Sequence, residues 1–340
     1  MKILRKILFP FSILYGLITS IRNFLFDKGI LKSTSFDLPV IAVGNLSVGG
    51  TGKTPQIEYL IRLLSDKYKV ATLSRGYKRK SEGFVLGSAT SDAEILGDEP
   101  FQFYQKFPNI YVAVDADRRN GITQLLSQTE KPQLILLDDA YQHRKVKAGF
   151  YILLSLYGDL YADDFMLPTG NLRESRSGAN RANIIVITKC PKQLSDKEQA
   201  EIRLKLKLTC SQQIYFTFID YDDFIYGGNE KIAVNQIKSE PKLLLAGIAK
   251  PSPFFDYLKN DNDICLTFPD HHNFSDSDLA EIESKAGNKR IITTEKDYVR
   301  LKDSKLALQL YYLPIKSTFI NHQQNFDATI LEYIKTNLET

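Results

Sequence analysis

The sequence predicts an α/β protein of two domains, the first a mainly parallel sheet covered on both faces and the second a smaller α/β domain. Three observations point there. Short apolar runs at residues 40–43, 70–73, 110–114, 134–137, 151–155 and 184–188 alternate with helical stretches. That rhythm is the mark of parallel strands covered on both faces. It restarts at 243–246, 264–268, 290–293 and 310–313, where a second, smaller domain is expected. Between the two series, residues 213–237 read as extended ribbon turning at Gly227-Gly228-Asn229. The expected layout is an N-terminal helix over 1–30, a first domain over 31–212, a two-stranded β linker over 213–240 and a second domain over 241–340. A chain of 340 residues has the length for two cores.

Bulk properties exclude several classes. Hydrophobic and charged fractions of 43% and 25% are those of a globular protein, so wholesale disorder is out. Cys190, Cys210 and Cys265 are widely spaced and form no C-x-x-C pair. Neither a zinc site nor a disulfide framework is indicated, and a reducing compartment fits. The net charge of +4 is mild and no aromatic-basic motif accompanies it, so no nucleic-acid partner is expected.

The first element is apolar and helical. Ile3, Leu4, Ile7, Leu8, Phe11, Leu14, Tyr15, Leu17, Ile18, Ile21, Phe24 and Leu25 recur at helical spacing, flanked by Arg5, Lys6, Arg22 and Lys28. The uncharged run 7–21 is 15 residues long, short of the roughly 18–20 that span a bilayer. Three readings compete. A signal peptide would need small residues at its cleavage site, and Thr19-Ser20-Ile21-Arg22 is a poor one. A buried core helix is the second, with Gly16 and Ser20 facing a neighbour. An amphipathic helix on a membrane surface is the third, and the basic flanks favour it.

The next element is the most informative. Residues 40–55, VIAVGNLSVGGTGKTP, run from a β-branched strand through a glycine-rich turn into a helix. Glycines let backbone N–H groups close on phosphate oxygens, a Lys reaches the β and γ phosphates, and the next hydroxyl ligates Mg²⁺. Ser47, Val48, Gly49, Gly50, Thr51, Gly52, Lys53 and Thr54 supply these parts. The strict pattern G-x-x-x-x-G-K-[ST] is not met, because Ser47 stands at its first position. Gly49 and Gly50 offer the flexibility instead. A nucleoside triphosphate in a P-loop domain is the reading.

Functional residues of a parallel sheet gather at the carboxyl ends of its strands. Polar clusters do stand there: Ser74-Arg75-Gly76-Tyr77, Asp115 to Arg119, and Asp138-Asp139. Downstream of a phosphate loop, such a carboxylate pair holds Mg²⁺ directly or through water. Gln142-His143-Arg144 follows at the same rim; His143 serves either the chemistry or the orientation of an Asp. Two readings fit Asp98 in Gly97-Asp98-Glu99-Pro100. One is a helix-start carboxylate, the other a base for an attacking hydroxyl. Arg173-Glu174 closes the loop Leu167-Pro168-Thr169-Gly170-Asn171-Leu172. Either it is a surface ion pair, or Arg173 neutralises phosphate charge while Glu174 joins the metal's shell. Phe268-Pro269-Asp270-His271-His272 suggests an Asp–His dyad rather than zinc, since adjacent residues seldom ligate one ion. Thr293 to Asp297 closes another strand without an assignable step.

At these residues the chain closely resembles the tetraacyldisaccharide 4′-kinase family of lipid A biosynthesis. The likeness runs through Leu14-Tyr15-Gly16, residues 44–55, Ser74 to Tyr77, Gly97 to Pro100, Leu137-Asp138-Asp139, Gln142-His143, residues 167–174, Asp270-His271 and Thr294 to Asp297. The Ser47 departure is shared with that family. The resemblance implies ATP- and Mg²⁺-dependent phosphorylation of the 4′-hydroxyl of tetraacyldisaccharide 1-phosphate, giving lipid IVA. It also implies two α/β/α sandwich domains, the first P-loop NTPase-like, joined by a two-stranded β linker, and an N-terminal helix on the cytoplasmic face of the bacterial inner membrane; no obligatory protein partner is expected. Carried over by position, Asp98 is the general base and His271 pairs with it. Lys53 bridges the phosphates, Thr54, Asp138, Asp139 and Glu174 manage Mg²⁺, and Arg173 and His143 assist at the phosphoryl group or the sugar.

The rival class is a membrane-cycling P-loop ATPase that positions protein partners. Such proteins typically carry a second Lys where this chain has Val48, and their membrane helix is usually C-terminal. A GTPase is a weaker rival: Thr188-Lys189-Cys190-Pro191 approaches the guanine-reading N/T-K-x-D, but Pro191 replaces the Asp.

Overall fold

The computed structural model describes Arg5 and residues 7–228, 230–270 and 272–339. Helix α1 (Phe9–Asp27) leads to strand β1 (Val40–Asn45), the phosphate-type loop and α2 (Lys53–Leu64). Then come β2 (Val70–Ser74), β3 (Val85–Leu86), α3 (Ala93–Leu96), α4 (Asp98–Lys106), β4 (Tyr111–Val114), α5 (Arg118–Leu126) and β5 (Leu134–Asp138). Strands β6 (Phe150–Leu156) and β7 (Ile184–Thr188), helix α6 (Asp196–Leu206) and β8 (Gln213–Tyr221) follow.

The second series holds β9 (Phe224–Gly227), β10 (Glu230–Ala233), α7 (Val234–Ser239), β11 (Leu243–Ala246), α8 (Ser252–Leu258) and β12 (Ile264–Thr267). It continues through α9 (Asp276–Ala286), β13 (Ile291–Thr294), α10 (Glu295–Leu301) and β14 (Leu310–Leu313). The chain ends with β15 (Ile315–Phe319) and α11 (Gln323–Leu338).

The chain divides into two compact units, residues 1–219 with 317–340, and residues 220–316. In the first unit nine strands run in the order β15-β8-β7-β6-β1-β5-β2-β4-β3. Neighbours from β8 to β4 are parallel, as the continuous apolar runs predict. β3 is antiparallel to β4. Every residue of β1 is buried, because its alternate side chains enter different cores. Ile41 and Val43 pack with Ile57, Leu60 and Ile61 of α2 and with Phe326, Ile330 and Ile334 of α11. Val40 and Ala42 pack on the other face with Leu137, Ile122 and Leu125. Each of these Val, Leu, Ile and Phe side chains contributes about 1.5–3 kcal/mol on burial.

The second unit is a six-stranded sheet in the order β10-β9-β14-β13-β11-β12. The strands from β12 to β14 are parallel, and the hairpin β9–β10 adds antiparallel to β14. Its core holds Ile225, Leu244, Phe254, Ile292 and Leu313.

The division differs from the expected one in two ways. Residues 213–240 are not a separate ribbon: β8 belongs to the nine-stranded sheet, and β9 and β10 edge the second one. The two strands that carry the chain between units are β8 and β15, neighbours in one sheet. Hydrogen bonds from Asp222 N to Pro314 O (3.0 Å) and from Ile320 N to Phe216 O (3.0 Å) mark them as antiparallel. Residues 317–340, expected in the second domain, cover the first unit's core instead. No turn or composition change marks that return, because the partner of β15 lies a hundred residues upstream.

Candidate nucleotide and phosphoryl-transfer site

The site lies in the first unit, at the carboxyl ends of β1 and β5. The loop leaving β1 is pinned by the backbone of the segment before Glu174: Arg173 N donates to Leu46 O (2.7 Å) and Val48 N to Asn171 O (2.8 Å). Gly49 and Gly52 take φ of +117° and +82°, open to glycine without strain. Gly52 precedes α2, whose start has no side-chain cap and no acidic residue in its first turn. Its amide groups therefore face an anion site, reinforced by the helix dipole. Thr54 is the second residue of that helix.

Two cations converge on one carboxylate. Lys53 Nζ lies 3.7 Å from Asp139 Oδ1 and donates to Asn45 Oδ1 at 3.3 Å. Arg173 reaches both oxygens of Asp139, Nη2 to Oδ1 at 2.8 Å and Nη1 to Oδ2 at 3.3 Å, and Nη2 also donates to Asn45 Oδ1 at 2.7 Å. Asp139 adopts a left-handed φ of +46°, rare for a non-glycine residue and concentrated at functional sites. Burial opposes its charge, but Lys53, Arg173 and Arg118 outweigh that and hold its carboxyl below the usual range.

Asp138 ends β5 in register with Val43 of β1. It is 7% exposed, and its buried Oδ1 has no hydrogen-bond partner among the described residues. Burial pushes its pKa up to about 7, helped by the negative charges of Asp139 and Glu99 and opposed by Lys53 and Arg118. Among the described residues no group of three or more His, Cys, Asp or Glu side chains could hold a metal unaided. Mg²⁺ asks for less, one or two carboxylates with phosphate oxygens and water completing the shell. The orphaned Asp138 oxygen suits that demand.

Asp98 is the first residue of α4, after Gly97 at φ +89°, and is half-buried. It is not the side-chain cap of that helix. His143 is half-buried, and its Nε2 has no partner among the described residues. Burial, then the charges of Arg118, Lys145 and Arg22, push its pKa down to about 4 against Asp117. The imidazole is neutral at pH 7.

Glu174 is placed differently from the metal ligand expected. It is 2% exposed and accepts from Gln142 Nε2 (2.8 Å), Arg181 Nη2 (2.9 Å) and Asn23 Nδ2 (2.8 Å). Three donors take its oxygens, so it ties the loop to α1 rather than standing open to a cation. Asn45 and Gln142 organise the centre without carrying weight in the sequence reading; Gln142 Nε2 also donates to Asn45 O (2.9 Å). A lone amide ending a fully buried strand is the signal that finds Asn45.

Helix α1 docks through its polar stripe. Ser12 Oγ donates to Thr169 Oγ1 (2.7 Å), Tyr15 O–H to Arg173 O (3.0 Å) and Arg22 Nη2 to Gln142 O (3.1 Å). Only Ser12 and Phe26 of the helix are buried, while Phe11, Ile13, Leu14, Leu17, Ile18, Ile21 and Phe24 are at least half exposed. The helix spans 19 residues, long and apolar enough to cross a membrane by length and composition.

In the second unit His271 lies outside the described residues. His272 is held locally, Nε2 3.0 Å from Asp278 Oδ2, and packs against the rings of Phe268 and Phe274. Thr294 to Asp297 form a helix start: Thr294 caps α10 by accepting from Asp297 N (3.3 Å), and Gly247 N donates to Asp297 Oδ2 (2.8 Å).

A family model described as Tetraacyldisaccharide-1-P 4′-kinase matches residues 4–335. The chain belongs to that family. It is 82% identical over 339 residues to a tetraacyldisaccharide 4′-kinase of Flavobacterium johnsoniae, covering 100% of both chains. It is 46% identical to one of Bacteroides fragilis, covering 98% of this chain and 94% of the other. A crystal structure of LpxK from Aquifex aeolicus in complex with ATP superposes with a TM-score of 0.80 at 31% identity, covering 97% and 99% of the two chains. The family is therefore shared over nearly the whole length, both units included.

Proposed function

We propose that this chain transfers the γ-phosphoryl group of ATP to the 4′-hydroxyl of tetraacyldisaccharide 1-phosphate, giving lipid IVA. The observation that carries this reading is the cation pair Lys53–Arg173 clamped on Asp139 beside an uncapped helix start, in a chain of the 4′-kinase family. Phosphoryl transfer asks chiefly for positioning and charge neutralisation. The phosphates of ATP compete with Asp139 for Lys53 and Arg173, and that exchange frees the carboxylate. Thr54, Asp138 and Asp139 are the residues suited to Mg²⁺, which when bound neutralises charge on the β and γ oxygens. Glu174 acts by holding Gln142 and α1 in place.

Asp98 takes the proton of the attacking hydroxyl, while neutral His143 donates or accepts a hydrogen bond at the sugar or phosphoryl group. The apolar face of α1, flanked by Arg5, Lys6, Arg22 and Lys28, lies on the cytoplasmic face of the inner membrane. A tetraacylated substrate resists leaving the bilayer, at about 0.8 kcal/mol for each CH₂ exposed. No obligatory protein partner is required. The test is ADP release in mixed micelles. It should depend on added tetraacyldisaccharide 1-phosphate and fall by roughly 10²–10⁴ in Asp98→Asn, the range of a lost general base. Near-normal turnover in Asp98→Asn removes that residue from the role.

A further inference from the structure

The carboxyl end of β7 carries Thr188-Lys189-Cys190-Pro191, which the phosphoryl-transfer chemistry leaves without a task. Thr188 is buried, and its hydroxyl donates to Thr51 O in the nucleotide loop (2.7 Å), with Ser155 O 3.3 Å away. A β-carbon added at Gly52 would sit 3.7 Å from Thr188 Cβ. The strand end and the loop are thus locked together two strands away from β1. Lys189 then takes a left-handed φ of +56°, a conformation disfavoured for Lys that persists only where the surroundings hold it. Cys190 holds it: the residue is buried and its N–H donates to Thr217 O (2.9 Å). The turn sends the exposed Lys189 side chain back along the loop, where a β-carbon built on Gly50 would meet its Nζ at 3.9 Å.

We propose that Lys189 is a nucleotide-binding residue whose ammonium group adds a second lysine charge, beside Lys53, to the triphosphate held by residues 47–54. This deepens the kinase reading and rests on its ATP site. Pro191 stands where a guanine-reading segment has its carboxylate, so the segment contributes charge and no choice of base. The contact is therefore directed at the phosphates, and its loss weakens ATP, GTP and inorganic tripolyphosphate alike.

The experiment is equilibrium binding of a fluorescent ATP analogue to the full chain in detergent micelles, with the three anions as competitors. Lys189→Asn removes the charge while tolerating the left-handed backbone. It should weaken all three by about tenfold, the factor of one charge-assisted hydrogen bond, and Lys189→Arg should restore them. Lys192→Ala removes a neighbouring charge whose ammonium lies over Phe218 (5.1 Å) and should change nothing. Unchanged affinity in Lys189→Asn, or an equal loss in Lys192→Ala, overturns the proposal while leaving the kinase reading intact. A loss confined to ATP overturns the phosphate contact in favour of a base contact. Failure of the wild-type chain to bind the analogue overturns the ATP site itself and Lys189 with it.

Discussion

Asp138 and Asp139 are neighbours with opposite electrostatics. Asp139 keeps its charge because Lys53 and Arg173 sit on it, whereas Asp138 is buried, with an oxygen unpaired among the described residues and its pKa pushed up to about 7. An acid whose folded pKa exceeds its unfolded one holds its proton more tightly when folded. Its ionisation therefore costs stability as pH rises from 3.8 to about 7, and the cost is complete above that. Asp138→Asn should melt with the wild type at pH 4 and above it at pH 8, by roughly 2–4 °C for each kcal/mol recovered, while phosphate transfer is lost. Equal melting temperatures at pH 8 would show that the buried carboxylate carries no strain. The carboxylate pair was legible as polar residues ending an apolar strand after a phosphate loop. The setting of Glu174 was not, since its burial depends on Asn23, about 150 residues upstream.

At the scale of elements, α1 reverses the usual amphipathic arrangement: polar groups face the protein and apolar ones face outward. Its apolar content and basic flanks were readable, but not which face docks, because Ser12, Tyr15 and Asn23 find partners only once residues 169–174 fold. Tyr15 donates to the carbonyl of the residue whose guanidinium grips Asp139, so the helix with the outward apolar face contacts the phosphate site directly. Tyr15→Phe should lower kcat by about three- to tenfold, the worth of one hydrogen bond, with vesicle binding unchanged. Vesicle binding should instead fall in a variant with Phe11, Leu14 and Ile18 all replaced by Ser. The reverse pattern would mean that the exposed face is not what meets the bilayer.

For the whole molecule, the parallel-sheet class, both βα series and the nucleotide loop were legible from periodicity and local motif. The return of the chain was not, for nothing local in residues 314–340 separates them from the second series. Their place is set by the long-range packing of Phe326, Ile330 and Ile334 against β1 and α2. Ile330→Ala should therefore cost about 2–5 kcal/mol, and weaken ATP-analogue binding near the melting range although it lies far along the chain from the loop. A variant as stable as the wild type would place α11 outside the first unit's core.

The central claim is tested most directly by label transfer from γ-labelled ATP to tetraacyldisaccharide 1-phosphate in mixed micelles, with Lys53→Ala beside the wild type. Label in a bisphosphorylated lipid, present with the wild type and lost in the variant, is the predicted result. ATP hydrolysis that leaves the lipid unlabelled would contradict it and point to a membrane-cycling ATPase acting on a protein partner.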